Sequence, residues 1–461
     1  MAADLHSPLS RRSLLARGAA GGAALALGDD LLTAAGHAEA ADPFAGWPAP
    51  NPAVINERAS LNVWLTPELA NHPAYRAANA LFQRKYAHIS VQVTPVAKDD
   101  IPTRLKIAVA SGGNAVVPDL VSHHAYAFGA QGLAQECDFL WAAWGEQGAF
   151  LDSALADVTW RLNKFGIPLV GNAVLTILNA EMFHRARVPL PTARSSFGQF
   201  IDAAIAVKRA NSTPYAMILS GDAATTTAVV HANGGALLRT ELISGRNLQL
   251  FTDRSVVDAV RFYTELGWRR RLAPIPSSGS SSKLYLAQLF ATRRAPAFFG
   301  TLSDLTLIAS VDSSLQLAVA PLPGGSSGRT TGSVNDGASL VVVADPLFPQ
   351  RHPHAAFELA KWLVARTPAL AVAETLRLAP TVSSYYRDPY FRRDALTQTY
   401  FEVARSATPI LLDAYPVAFD AYKAALRACF GGADAARALQ SAAGPAQAAM
   451  DRADAGLDSD G

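Results

Sequence analysis

Cysteine is nearly missing from this sequence: only Cys137 and Cys429 occur among 461 residues. They lie far apart, with no Cys-x-x-Cys or Cys/His spacing, which excludes a disulfide framework or a clustered metal site and leaves room for one long-range disulfide. Charge is sparse as well. Asp, Glu, Lys and Arg make up 17% of the chain, and 40 basic residues face 38 acidic ones. No basic run exceeds Arg269-Arg270-Arg271, so no nucleic-acid stripe is present and neutral partners are expected. No apolar run approaches the ~20 residues that span a bilayer. A soluble mature protein is the expectation.

What is present is a hydrophobic half, 50% by count, enough to bury two moderate cores and so to favour two domains. Ser10-Arg11-Arg12-Ser13-Leu14-Leu15 is a twin-arginine pattern. A weakly apolar stretch from Gly18 to Gly28 follows it, and Ala38-Glu39-Ala40 stands before Ala41. Together these read as an export signal over residues 1–40, with periplasmic or extracellular placement. No cysteine follows the signal, so no lipid anchor is expected. Residues 41–58, with Pro48, Pro50 and Pro52, read as a flexible lead-in.

Beyond Ala59, short apolar runs alternate with amphipathic ones. Leu61–Leu65, Ile89–Val93 and Val116–Val121 read as strands, Ala74–Tyr86 and Ile101–Ser111 as helices. Val174–Asn179 reads as a buried strand, and Ser195 as the cap of a helix extending to Lys208. Ala297–Phe299, Leu317–Val319 and Ser339–Val343 follow as strands, and Ala355–Val364 as a helix. Such alternation predicts an α/β protein with mostly parallel sheets. The pattern breaks near Gly171, and strand signals return after Phe298. The expected division is a first lobe over 59–170, a second over 171–300, a return to the first over 301–365, second-lobe helices over 366–443, and a polar tail, 444–461, that frays.

The order of segments resembles the extracellular solute-binding protein family 1 of ABC importers, which includes maltose-binding proteins. The resemblance rests on Leu61-Asn62-Val63-Trp64, on Pro118-Asp119-Leu120-Val121, and on Gly166-Ile167-Pro168 leading to Leu178-Asn179-Ala180-Glu181-Met182-Phe183. It continues through Ala232-Asn233-Gly234-Gly235, Ala297-Phe298-Phe299-Gly300, Ala320-Pro321-Leu322-Pro323-Gly324-Gly325 and Asp336-Gly337-Ala338-Ser339-Leu340. It implies a type II periplasmic-binding-protein fold: two α/β lobes joined by hinge strands, with ligand held in the cleft. It also implies capture of a small polar solute, a sugar or polyol, by a monomer that delivers it to a membrane permease without a cofactor.

A sugar offers hydroxyls that need directional partners and a C–H face that suits an aromatic ring. On that basis Trp64 and Glu68, at the end of the first strand, are candidates, as are His123 and Tyr126 beyond the third. Asn172 stands where the chain enters the second lobe. Asp222 and Thr227 precede the Gly234-Gly235 turn. Gly300 and Thr301 end a strand where backbone can approach ligand closely. Asn335 and Asp336 precede the Gly337 turn, where they read as hinge residues or as ordinary turn residues, and Phe419 falls on a late helix beside Tyr415. Two stacking tryptophans common in the family are replaced here, which widens the range of polar ligands.

Enzyme readings find little in the sequence. There is no haem, iron–sulfur or dinucleotide pattern. Gly324–Thr330 lacks the first glycine and the lysine of a phosphate loop, and Ser280-x-x-Lys283 falls in a serine-rich loop. Tyr385-Tyr386 resembles the paired tyrosines of ferric-ion binders. An exported enzyme and a binder of ferric ion remain the alternatives.

Overall fold

The computed structural model describes residues 52–54, 56–111, 116–241, 244–276, 282–325, 332–344, 352–393 and 395–459. The expected export signal and most of the lead-in lie outside them. The strands in chain order are β1 (Ala59–Leu65), β2 (Ile89–Pro95), β3 (Leu120–His123), β4 (Thr159–Trp160), β5 (Asn163–Lys164), β6 (Gly166–Gly171), β7 (Val174–Asn179), β8 (Leu238–Thr240), β9 (Asn247–Gln249), β10 (Ala297–Thr301), β11 (Leu317–Ala320), β12 (Ala338–Val342) and β13 (Ala379–Pro380).

A six-stranded sheet of order β13-β6-β12-β3-β1-β2 forms the first lobe, and a three-stranded sheet of order β10-β7-β11 the second. β1 pairs in parallel with β2 and β3, whereas β12 runs against both β3 and β6. In the second sheet β10 and β11 both run against β7. The expectation of mostly parallel sheets therefore needs correction, and the crossings supply the reason. A strand that arrives from the other lobe enters its sheet from the inner edge, so it runs opposite to neighbours that lead toward that edge. β7 arrives in the second lobe this way, and β12 returns to the first.

The same pairings move the expected boundaries. The chain does not return to the first sheet at 301: β10 and β11 stay with β7, and the return falls at Ser333–Asp336. The helix Arg366–Leu376, expected in the second lobe, buries Ala369 and Val372 in the core of the first. The helix expected from Ser195 is capped one residue later, by Ser196, whose hydroxyl accepts from Gln199 N while the Gln199 side chain accepts from Ser196 N.

The tail does not fray. Ala435–Ser459 forms a helix that runs through Pro445. Gly444-Pro445 reads as a stop, but tertiary packing overrides it: Leu439, Ala443, Ala446 and Met450 are buried. Asp451 pairs with Arg246 at 2.7 Å. Asp454 accepts from the Tyr415 hydroxyl at 2.7 Å and from Asn247 Nδ2 at 3.3 Å, and pairs with Arg161, in the β4–β5 turn, at 3.0 Å.

Three cores hold the described residues together. One lies between the first sheet and the helices Pro73–Lys85, Pro353–Leu363 and Arg366–Leu376, around Phe82, Trp141, Leu340 and Leu359. Another joins the second sheet to Lys283–Ala291, Leu302–Val311 and Ala395–Ser406. The largest runs from Val121 and Val341 of the first sheet, through Tyr126, Trp160 and Tyr415, to Phe299 of the second. Cys137 and Cys429 are both buried and free, in different cores.

Asn335 clamps the two crossings. Its side-chain oxygen accepts from Asn172 N at 2.9 Å and Gly337 N at 3.1 Å, and its own N–H reaches Thr408 O at 2.9 Å. Gly337 is required beside it, because a Cβ there would meet the Val170 carbonyl oxygen at 2.0 Å.

Candidate functional site

Because β1, β2, β3 and β6 run the same way, their C-terminal ends share one edge of the first sheet, where β12 begins. That edge is where open α/β sheets place ligands. The segments leaving it carry Thr66 and Glu68, Lys98, His123 and His124, and Asn172, with Asp336 just ahead of β12. Thr301, at the end of β10, pairs with Val174 at the start of β7, which brings Thr301, Ser303 and Asp304 to the facing edge of the second lobe. Ile218 runs parallel beside Phe298, so Ser220 and Asp222 emerge there too.

Asn172 joins the edges. Its side-chain oxygen accepts from Ser303 N at 3.1 Å, and its Nδ2 donates to Ser303 Oγ at 3.2 Å. Lys98 gives its ammonium to one short segment: Asp336 Oδ1 at 2.8 Å, Asp336 O at 3.0 Å and Gly337 O at 2.9 Å. Lys283, at the start of Lys283–Ala291 in the second lobe, lies 3.6 Å from the other Asp336 oxygen. Burial acts to raise the Asp336 carboxyl, but Lys98 and Lys283 together outweigh it and hold the group well below the usual carboxylate range.

Asp222 caps Ala223–Ala232, accepting from Thr225 N at 2.6 Å and Thr225 Oγ1 at 2.9 Å, with the Ser220 hydroxyl on its second oxygen as well. Asp304 Oδ2 accepts from Thr301 N at 2.7 Å and Thr301 Oγ1 at 2.9 Å. A Cβ on Gly300 would meet that oxygen at 2.9 Å and the Phe298 ring at 2.6 Å. Burial raises the Asp304 carboxyl, with Lys283 opposing it.

Three buried polar atoms along these edges have no partner: Thr66 Oγ1, His123 Nδ1 and Asp304 Oδ1. Such atoms are costly in an interior and point to a group that completes them. The His123 ring stacks on Phe128 at 4.9 Å and meets His124 edge-on. His124 bonds Asp157 at 2.7 Å, and Asp157 accepts from Ser339 at 2.5 Å.

Burial, then His124 and Lys98, push the His123 imidazole well below its ordinary value, so it stays neutral in the folded protein. The unfolded chain takes up that proton below about pH 6.5. More protons bind to the unfolded state there, so stability falls as pH drops, by up to about 1.4 kcal/mol per pH unit. His123→Gln is expected to flatten that loss between about pH 6.5 and 5. Urea midpoints of both proteins at the two pH values measure it, and parallel losses would refute it.

The remaining candidates, apart from Glu68 on the edge already described, are not gathered here. Trp64 is partly buried and packs against the largest core. Glu68 is exposed in the first turn of Pro67–Ala70. Tyr126 is fully buried, and its hydroxyl donates to Ile410 O at 3.0 Å. The Thr227 hydroxyl is buried and donates to Ala223 O at 2.7 Å within its own helix. Phe419 is half-buried under Lys423, whose Nζ sits 4.8 Å above the ring. Sequence reasoning does not single out Lys98 or Asp304, and it sets Lys283 aside as part of a loop. Only the position of Lys98 just past β2, at the ligand-facing edge, offered a signal.

Two α/β lobes, joined by a clamped double crossing and facing each other with polar strand ends, define a two-lobed binding protein. Residues 67–367, more than half of the chain, match the model of the bacterial extracellular solute-binding proteins, and the chain belongs to that family. No curated protein matches it by sequence. Among solved structures, the GacH receptor of Streptomyces glaucescens, studied unliganded and with acarbose, is 18% identical with a TM-score of 0.70, over 86% of this chain and 99% of its own. UgpB of Mycobacterium tuberculosis, in complex with glycerophosphocholine, is 18% identical with a TM-score of 0.70, over 85% and 98%. Lmo0181 of Listeria monocytogenes, in complex with cycloalternan, is 17% identical with a TM-score of 0.71, over 86% and 99%. At these identities the likeness concerns the fold.

Proposed function

We propose that the protein is exported through the twin-arginine route and works as a monomer. It captures a small polar solute, a sugar or polyol, between its lobes and hands it to the membrane permease of an ABC importer. The observation that carries this reading is the trio of buried, unpartnered polar atoms, Thr66 Oγ1, His123 Nδ1 and Asp304 Oδ1, drawn from both lobes around one crossing. A solute that satisfies atoms on both sides binds the closed arrangement more tightly than the open one, and that difference in affinity drives closure. The solutes named for GacH, UgpB and Lmo0181 are acarbose, glycerophosphocholine and cycloalternan, which supports a small polar guest.

The ferric-ion alternative draws less support. The hydroxyls of Tyr385 and Tyr386 donate to backbone carbonyls, those of Val364 and Pro380, at 3.2 and 2.8 Å. Gly324 and Gly325 pack against the helices on either side, which suits a connecting turn better than a catalytic loop.

A thermal-shift screen over sugars and polyols tests the reading, since a ligand that binds only the folded state raises its melting temperature. No rise with any of them would count against it. With a hit in hand, Asn172→Ala is expected to weaken binding about tenfold, the worth of one hydrogen-bonding position. Titration calorimetry measures it, and unchanged affinity would remove Asn172 from the recognition path.

A further inference from the structure

Lys283 and Asp336 meet across the cleft. Lys283 opens a helix whose Leu286, Ala287 and Phe290 are buried in the second-lobe core, while Asp336 leads into β12 of the first sheet. Their separation is 3.6 Å, and the side chains keep 48% and 25% of their surface open to water. That exposure leaves both within reach of a solute.

The charges around this pair define what it tolerates. An ammonium has three N–H donors. Lys98 spends its donors on Asp336 and Gly337, at 2.8 to 3.0 Å. It therefore has none left for an anionic guest. Among the described residues, Lys283 is the other cation paired with this carboxylate, 3.6 Å from its second oxygen. A cation already matched to a carboxylate offers no surplus positive charge to an anion. It also occupies the place that an amine would seek.

We propose that Lys283 is the specificity-determining residue of the cleft. It pairs with Asp336 across the cleft, fills the place an amine would take, and restricts the site to uncharged, hydroxyl-rich solutes. In the ligand-free protein its ion pair with Asp336 also holds the lobes toward one another. A bound solute takes over the pair by accepting from the ammonium and donating hydroxyls to the carboxylate. This rests on the solute-capture reading for its ligand, but the ion pair itself can be tested without one.

Two measurements on the wild type, Lys283→Met and Lys283→Arg decide it. The first is small-angle scattering of ligand-free protein between about 20 mM and about 500 mM NaCl, where screening weakens exposed pairs. The wild type and Lys283→Arg are expected to expand with salt, while Lys283→Met is already expanded at low salt and insensitive, an open-to-closed ratio raised about fivefold. A Lys283→Met radius of gyration equal to the wild type at every salt concentration would overturn the lobe-holding role.

The second is thermal shift with glucose, sorbitol, glycerol phosphate and putrescine. The wild type is expected to respond to an uncharged probe and to neither charged one, and Lys283→Met to gain a response to putrescine. A wild-type response to glycerol phosphate or putrescine would overturn the assignment, as would a Lys283→Met protein that ignores putrescine. If no uncharged probe shifts the wild type, the capture reading suffers, while the putrescine and scattering comparisons still decide the role of Lys283.

Discussion

Replacing Asn335 with alanine is expected to cost about 2–5 kcal/mol of stability, because it strands two buried N–H groups at once. The side-chain oxygen now accepts from Asn172 N and Gly337 N, one on each crossing segment. Asn335 is 7% exposed, so water cannot readily replace that acceptor. Removing one partner from a buried hydrogen bond costs more than the bond itself contributes, since the other partner keeps its full desolvation penalty. Asn335→Asp retains the acceptor and is expected to recover much of the loss. Urea unfolding followed by fluorescence reads the difference as a lower midpoint at unchanged slope. Equal stability of Asn335→Ala and the wild type would show that the crossings are held by something else.

Ending the chain after Gly432 is expected to have a still larger effect, leaving a protein that does not fold cooperatively. Leu439, Ala446 and Met450 are fully buried in the core that runs between the lobes, and Arg246, Asn247 and Tyr415 would lose their acceptors on Asp451 and Asp454. Point variants keep the test graded. Leu439→Ala and Met450→Ala are each expected to cost about 2–4 kcal/mol, the range for emptying a filled core position. A truncated chain with a wild-type urea midpoint would show that the final helix is an accessory to the fold.

The strands were the most legible part of this chain. Leu61–Leu65, Ile89–Val93, Val174–Asn179 and Ala297–Phe299 all lie within observed strands, because short apolar runs bounded by polar turns leave few alternatives. Strand direction was not legible. It depends on which segments cross between lobes, and the pairings of β7 with β10 and of β12 with β6 join residues far apart in the sequence. The final helix was misjudged for a related reason: Gly444-Pro445 is a local stop signal, and the packing that overrules it is tertiary.

Site legibility followed the same rule. Asn172 falls on the first crossing, which the break in pattern near Gly171 had marked, whereas the return at Asn335 and Asp336 lies well past the expected one. Lys98 and Lys283 are ordinary surface lysines by local context, and only the fold brings them within reach of one carboxylate. The aromatic candidates failed to converge because Tyr126 and Trp64 serve the core.

Asp454 gives the final helix a mechanical meaning. One carboxylate near the chain's far end grips Tyr415, Asn247 and Arg161 at once. The last turns thus act as a three-way staple, binding together segments that lie hundreds of residues apart along the chain.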